Sequence, residues 1–240
     1  MEKDGAHIID IGGESTRPGA KEIAIEEELH RVVPVILSLR KVSNVPISID
    51  TRHSHVAKAA IAAGADIVND VSGGTFDEEM LSTVSKLSVP MILMHMRGTP
   101  ETMQTMTSYS NVVNDVAHSL KKLSQRASDA GIPKWLQVLD VGIGFAKDYH
   151  GNLELLRYGP GRVREYMGDD TAMLLWGPSR KGFLGTITGE KVAEKRDYGT
   201  TAACCMAVAT GPLGACNIIR VHNVKDVKQA IQVMDAIRGA

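Results

Sequence analysis

The chain has 240 residues, 43% apolar and 23% charged, with a formal net charge of -1. The length suits one α/β barrel domain spanning 1–240. The balanced charge argues against nucleic acid or an anionic membrane as a partner. No apolar run is long enough to cross a bilayer. Met1 is followed at once by Glu2, Lys3 and Asp4, unlike a secretory leader, so no targeting segment is expected. Cys204, Cys205 and Cys216 read as buried free thiols of a reducing compartment.

Short apolar runs alternate with amphipathic or alanine-rich segments. In chain order the predicted elements are a strand at 7–13, a helix at 22–41, a strand at 45–51 and a helix at 54–63. A strand at 65–71, a helix at 77–88, a strand at 90–96 and a helix at 111–130 come next. The pattern continues with a strand at 135–142, a helix at 152–167, a strand at 172–178, a helix at 198–210, a strand at 216–222 and a helix at 225–238. The strands are near-continuously apolar, as parallel strands buried on both faces are. Alternating strands and helices predict right-handed βαβ units and an α/β fold of the (β/α)8 TIM-barrel type. Seven strands can be counted where a closed barrel needs eight, so the chain reads as truncated at its amino terminus. Pro34 predicts a kink or break in the first helix.

A weak repeat supports this layout. Gly5-Ala6-His7-Ile8-Ile9-Asp10 resembles Gly64-Ala65-Asp66-Ile67-Val68-Asn69, and Gly214-Ala215-Cys216-Asn217-Ile218-Ile219-Arg220 echoes both. Each Gly-Ala would turn a helix into a strand, placing Asp10, Asn69 and Arg220 at equivalent strand ends. Asp50, Asp140, Lys181 and His222 also stand at or just past strand ends. Different polar groups on several strand ends imply one ligand at the carboxyl-terminal rim of a barrel.

The segment DIGGESTRPGA at 10–20 is glycine-rich and carries Ser15, Thr16, Arg17 and Pro18. It suits an anionic substrate, with a generic strand-to-helix loop as the plain alternative. Neighbouring strand residues point to opposite faces, so only one of Asn69 and Asp70 faces inward. Asn69 is the choice, which leaves Asp70 as a structural cap. Gly142 and Gly144 open the loop after Asp140, but Gly-x-Gly-x-x-Lys lacks the third glycine of a dinucleotide site. Ser179, Arg180 and Lys181 share a loop, and Arg220 and His222 alternate on one face as a phosphate or diphosphate clamp. His53 and His55 read as solvated residues where a helix begins, and His95 as a satisfied core or rim histidine. Methionines 91, 94, 96, 103 and 106 could line a flat apolar ligand or fill gaps in the core.

DIGGESTRPGA, SIDT, IVNDVSGG, LMHMRGTPETMQ, LDVGIGF, GPSRKGFLG and IIRVHNV together resemble dihydropteroate synthase over nearly the whole chain. The chain looks most like the fungal type, where this domain is often the carboxyl-terminal part of a multifunctional folate-synthesis protein. The resemblance implies that 6-hydroxymethyl-7,8-dihydropterin diphosphate is joined to p-aminobenzoate, giving 7,8-dihydropteroate and pyrophosphate. It also implies Mg2+ and inhibition by sulfonamides. By position, Asp50, Asn69, Met94, Asp140 and Lys181 match pterin-pocket residues, with Asp50, Lys181 and Asp140 catalytic. Thr16, Arg220 and His222 match diphosphate ligands, and Arg17, Pro18, Phe145 and Ser179 match the p-aminobenzoate region. The family's metal-holding Asn has no counterpart in the chain, so no metal ligand is assigned. Val141 replaces a common Pro. The truncated reading carries an expectation of weak or no synthase activity. The resemblance also implies a cytoplasmic or mitochondrial protein, and a homodimer. Competing readings are a non-catalytic pterin-binding fragment and a pterin-dependent methyltransferase barrel; the latter needs no diphosphate clamp.

Overall fold

The computed structural model describes residues 1–209 and 215–239. Seven strands form one parallel sheet in sequential order: β1 (Ile9–Gly12), β2 (Ile47–Asp50), β3 (Ile67–Asp70), β4 (Met91–Met94), β5 (Gln137–Asp140), β6 (Met173–Trp176) and β7 (Ile218–Ile219). Between and after them run α1 (Ile25–Arg40), α2 (Ser54–Ala62), α3 (Met80–Leu87), α4 (Val112–Asp129), α5 (Tyr149–Met167), α6 (Gly182–Thr188), α7 (Asp197–Ala209) and α8 (Val224–Gly239). The sheet curls into a partial barrel of the TIM type, with β1 and β7 as its two edges. Gly214 and Thr210, the third predicted Gly-Ala corner and the end of the predicted sixth helix, lie outside the described residues.

Register explains the two faces. Asp50 pairs with Gly12 and Asn69, Asn69 with Ile92, Met94 with Asp140, and Asp140 with Leu175. Partners in register share a face, and the face alternates along each strand. The outward set, including Ile47, Ile49, Val68, Met91, Leu93, Leu139, Leu174 and Trp176, packs against the helices as the main core. At depth the inward set is polar on β1 and β2, where Ser48 donates to Asp10, and apolar beyond them, where Ile92, Val138 and Leu175 meet Ile67 and Ile218. It becomes polar at the carboxyl ends.

Three expectations need correction. The strands are shorter than their apolar runs, four residues each and two in β7, because pairing ends where the backbone turns into the loops. Pro34 does not break α1, which runs unbroken from Ile25 to Arg40. The break falls in α5 instead, where Gly159 has φ 68° and ψ −176° just before Pro160. That conformation is open to glycine, and the residue before a proline is excluded from helical geometry. Finally, Asp10 is not level with Asn69. It pairs with Ser48, two residues before Asp50, and so sits one inward layer deeper on the same face. Among the described residues no helix is long and apolar enough to cross a membrane.

Candidate active site

The carboxyl ends of the strands surround a hollow that opens to solvent. Asp50, Asn69, Met94, Asp140, Lys181 and Arg220, with Thr16 and Phe145 from loops, all line it. They come from seven different strand ends or loops, spread over more than 200 residues of sequence, as the predicted convergence requires.

The polar side of the hollow is knitted across strands. Arg220 donates from Nε to Asp10 Oδ2 (2.7 Å) and from Nη2 to Asp50 Oδ2 (3.3 Å). Asn69 Nδ2 donates to the Asp10 carboxylate at 3.3 and 3.4 Å. Asp140 is the end of β5, and its Oδ1 accepts the Gly142 N–H at 2.8 Å. Gly142 has φ 66°, and a Cβ there would lie 2.1 Å from the His95 carbonyl oxygen, so that turn admits no side chain. Opposite stands an apolar wall in which Met94, Val71, Met103, Phe145 and Ala146 pack together, with Met96 against them. Lys181 Nζ lies 3.9 Å from the centroid of the Phe145 ring, a cation–π contact that joins the two sides. Asp70 faces away. Its carboxylate accepts from Ser72 N (2.7 Å), Ser72 Oγ (2.7 Å) and Gly74 N (2.8 Å), the cap expected of it.

Residues 1–222 match the family model of pterin binding enzymes. The dihydropteroate synthase of Synechocystis is 44% identical over 237 residues, which cover 99% of this chain and 79% of that protein. The folic acid synthesis protein of Pneumocystis carinii is also 44% identical, over 97% of this chain but only 31% of its own length. The solved Yersinia pestis dihydropteroate synthase, a sulfonamide complex, superposes with a TM-score of 0.92 at 36% identity, covering 100% of this chain and 83% of that one. The Xanthomonas albilineans dihydropteroate synthase with 4-aminobenzoic acid gives 0.89 at 38%, covering 100% and 82%. The chain belongs to the pterin binding enzymes, in the dihydropteroate synthase branch.

Burial shapes the charges of this synthase domain. It pushes the Asp50 carboxyl up to about 7; Asp10 adds to the rise and Arg220 opposes it. Burial likewise raises Asp140, against the Gly142 N–H and Lys181. It brings the ammonium of Lys181 down to about 8, opposed by Asp140. Burial disfavours the Arg220 guanidinium too, but Asp10 and Asp50 outweigh it and hold the charge above its ordinary strength. The rim is therefore a set of acids and bases that neutralise one another.

Four predicted residues stand outside the lining. Arg17 and Pro18 are exposed on the loop between β1 and α1. Ser179, buried, holds the exposed His222: its Oγ lies 2.8 Å from His222 Nδ1 and accepts the His222 N–H at 3.2 Å. Arg180 turns away to pair with Asp197 at 2.8 and 3.0 Å. Among the described residues no cluster of three His, Cys, Asp or Glu could hold a metal ion. Both oxygens of Asp10 are already engaged, so these donors do not fit a resident Mg2+. His55 is exposed as expected, but His53 is not solvated. It is buried, with Nδ1 2.9 Å from Glu28 Oε2, because α1 packs over the start of α2. Sequence reasoning placed Asp10 among the strand ends that converge on one ligand but assigned it no binding or catalytic role. It also missed Lys147, buried behind the Phe145 wall and donating to the Phe145 carbonyl and to His95 Nδ1, each at 2.9 Å. An ordinary Gly-x-Gly-x-x-Lys string carried no signal of that.

Proposed function

We propose that the floor of the hollow binds a pterin through Asp50, Asn69, Asp140 and Lys181, and that the β7 rim receives its diphosphate. The reaction is that of dihydropteroate synthase, a transferase step of folate biosynthesis: a pterin diphosphate condenses with p-aminobenzoate. The observation that carries the division of roles is the meeting of two carboxylates, an amide and two cations from separate strand ends on one hollow. A pterin edge presents N–H donors beside ring nitrogens and a carbonyl, which such a set can satisfy. A mismatch left unpaired there costs about 1–3 kcal/mol. The Met94–Phe145 wall offers a face for the flat ring.

The proposed chemistry is dissociative. The bond from the pterin methylene carbon to the diphosphate oxygen breaks, and the electron pair leaves with the diphosphate. Arg220 holds the growing negative charge, with His222 and Thr16 beside it. The electron-rich dihydropterin delocalises the positive charge left on carbon, and Asp50 as carboxylate stabilises it. The neutral aniline nitrogen then forms the new C–N bond and gives up its proton to solvent or pyrophosphate, so no strong base is needed. Phe145, Ser179, Arg17 and Pro18 frame the approach of p-aminobenzoate. Mg2+ enters this reading only as a counter-ion carried by the diphosphate substrate, consistent with octahedral Mg2+ keeping waters and phosphate oxygens.

The test is a titration of the pterin diphosphate with and without Mg2+, followed by p-aminobenzoate and measurement of pyrophosphate. Release that depends on p-aminobenzoate supports the reading. Pterin binding without release would reduce the chain to a binding module. We also propose a homodimer, supported by exposed Met206 on α7 and by Val233 and Ile237 on α8; light scattering tests it. A cytoplasmic or mitochondrial site is proposed on the plant relatives named mitochondrial.

A further inference from the structure

The loop between β1 and α1 brings Thr16 to the hollow and leaves Arg17 exposed above it. Its body is lightly bonded. The Arg17 N–H reaches Ser15 Oγ at 3.5 Å, Ala20 N–H reaches Arg17 O at 3.0 Å, and Gly19 N–H reaches Pro100 O at 3.0 Å. Its feet are different. Glu14, at the first foot, accepts the Ile23 N–H of the second foot on Oε1 (3.2 Å). On Oε2 it accepts Arg52 Nη2 (2.7 Å) and Nε (3.1 Å). Both side chains are nearly sealed, 4% exposed for Glu14 and 5% for Arg52. The guanidinium lies 4.1 Å from the centroid of the Phe76 ring, which shields it further. His53, the next residue, stands 3.5 Å from Glu22 on the second foot. The first foot lies flush on α1, because a Cβ at Gly13 would meet Glu28 Cγ and Val32 Cγ1 at 2.9 Å.

A buried ion pair adds little net stability once desolvation is counted, but it is strict about geometry. Here one carboxylate closes the loop on itself and ties it to Arg52, two residues beyond Asp50 on the hollow's floor. Resting on the reading above, we propose that Glu14 and Arg52 are positioning residues for the second substrate. Their pairing sets where Arg17 and Pro18 stand over the hollow and so governs capture of p-aminobenzoate, an anionic aromatic acid, while binding of the pterin ring on the floor is independent of it.

The test compares Glu14→Gln and Arg52→Lys with the wild-type chain, each checked by melting to be folded; either variant suffices if the other fails to fold. Trypsin cleavage at Lys21 reports the loop directly, since Pro18 protects the bond after Arg17. We expect cleavage at Lys21 to speed up about tenfold or more, KM for p-aminobenzoate to rise about tenfold, and affinity for a pterin lacking the diphosphate, titrated directly, to stay within about twofold. Unchanged cleavage at Lys21 in the folded variants overturns the clasp. Faster cleavage with an unchanged KM for p-aminobenzoate overturns its control of capture. A wild-type chain that binds no pterin defeats the reading of the hollow instead, and is told apart because the contrast in Lys21 cleavage persists.

Discussion

The two sides of the barrel mouth satisfy their charges in different ways. On the β1, β2 and β7 side, Asp10, Asp50 and Arg220 satisfy one another across strands. On the β3 side, Asp70 is satisfied by backbone N–H groups of its own loop. A carboxylate locked to its loop can let go only if the loop unfolds. A carboxylate paired with a partly exposed guanidinium can trade that partner for a ligand without moving backbone. Asp140 combines both, one oxygen capping Gly142 while the residue lines the hollow. Exchangeable partners mark the working side, and self-contained caps mark the scaffold.

The largest expected effect that would break or sharpen this contrast is on turnover. Asp50→Asn should lower it by about 10²- to 10³-fold, measured as pyrophosphate release, while pterin affinity in a direct titration falls less than about tenfold. Equal losses in both would count against the role of Asp50 at the reacting carbon. Next comes the neighbouring pair. Asp70→Ala should cost about 2–4 kcal/mol of stability in urea unfolding. Asn69→Ala should spare stability and cost about 1–3 kcal/mol of pterin binding. If the two behave alike, the distinction between working and scaffold groups fails.

Arg220→Met should weaken pyrophosphate binding by about 2–3 kcal/mol, seen by calorimetry. It also removes the cation that opposes the rise at Asp50, so pterin binding should become more sensitive to pH on the alkaline side of neutrality. The smallest effect concerns Lys147, whose ammonium is brought down to about 7 by burial. Between that value and its ordinary value the unfolded chain carries the proton and the folded chain does not. Stability from this group therefore rises as pH rises above 7 and is lost as pH falls back toward it. Lys147→Met should flatten the wild-type slope by about 1–2 kcal/mol between pH 7.5 and 9, read from urea midpoints at several pH values. An unaltered slope would mean that Lys147 stays charged in the fold.

Much of the hollow was legible in the residues. Apolar runs located the described strands, and alternation showed that only one of Asn69 and Asp70 faces inward; the repeat position shared with Asp10 and Arg220 picked Asn69, which does line the hollow. Family likeness supplied roles that spacing alone could not. What stayed hidden were contacts made by packing. The depth of Asp10 depends on a pairing register that a repeat of similar letters misreads. The burial of His53 depends on α1 lying over the start of α2. Pro34 leaves α1 unbroken, whereas Gly159 before Pro160 breaks α5 by its backbone conformation.

Near-continuous apolar runs and the rhythm of strand and helix were enough, from sequence alone, to determine a parallel sheet with polar groups gathered at its carboxyl ends. Both are local properties of consecutive residues. Which group each polar atom bonds was decided only by tertiary structure. Arg220 meets Asp10 across 210 residues of chain, and Glu14 meets Arg52 beneath a loop. Such pairings hold only at hydrogen-bond distance, and the curl of the sheet and the seating of α1 set that distance.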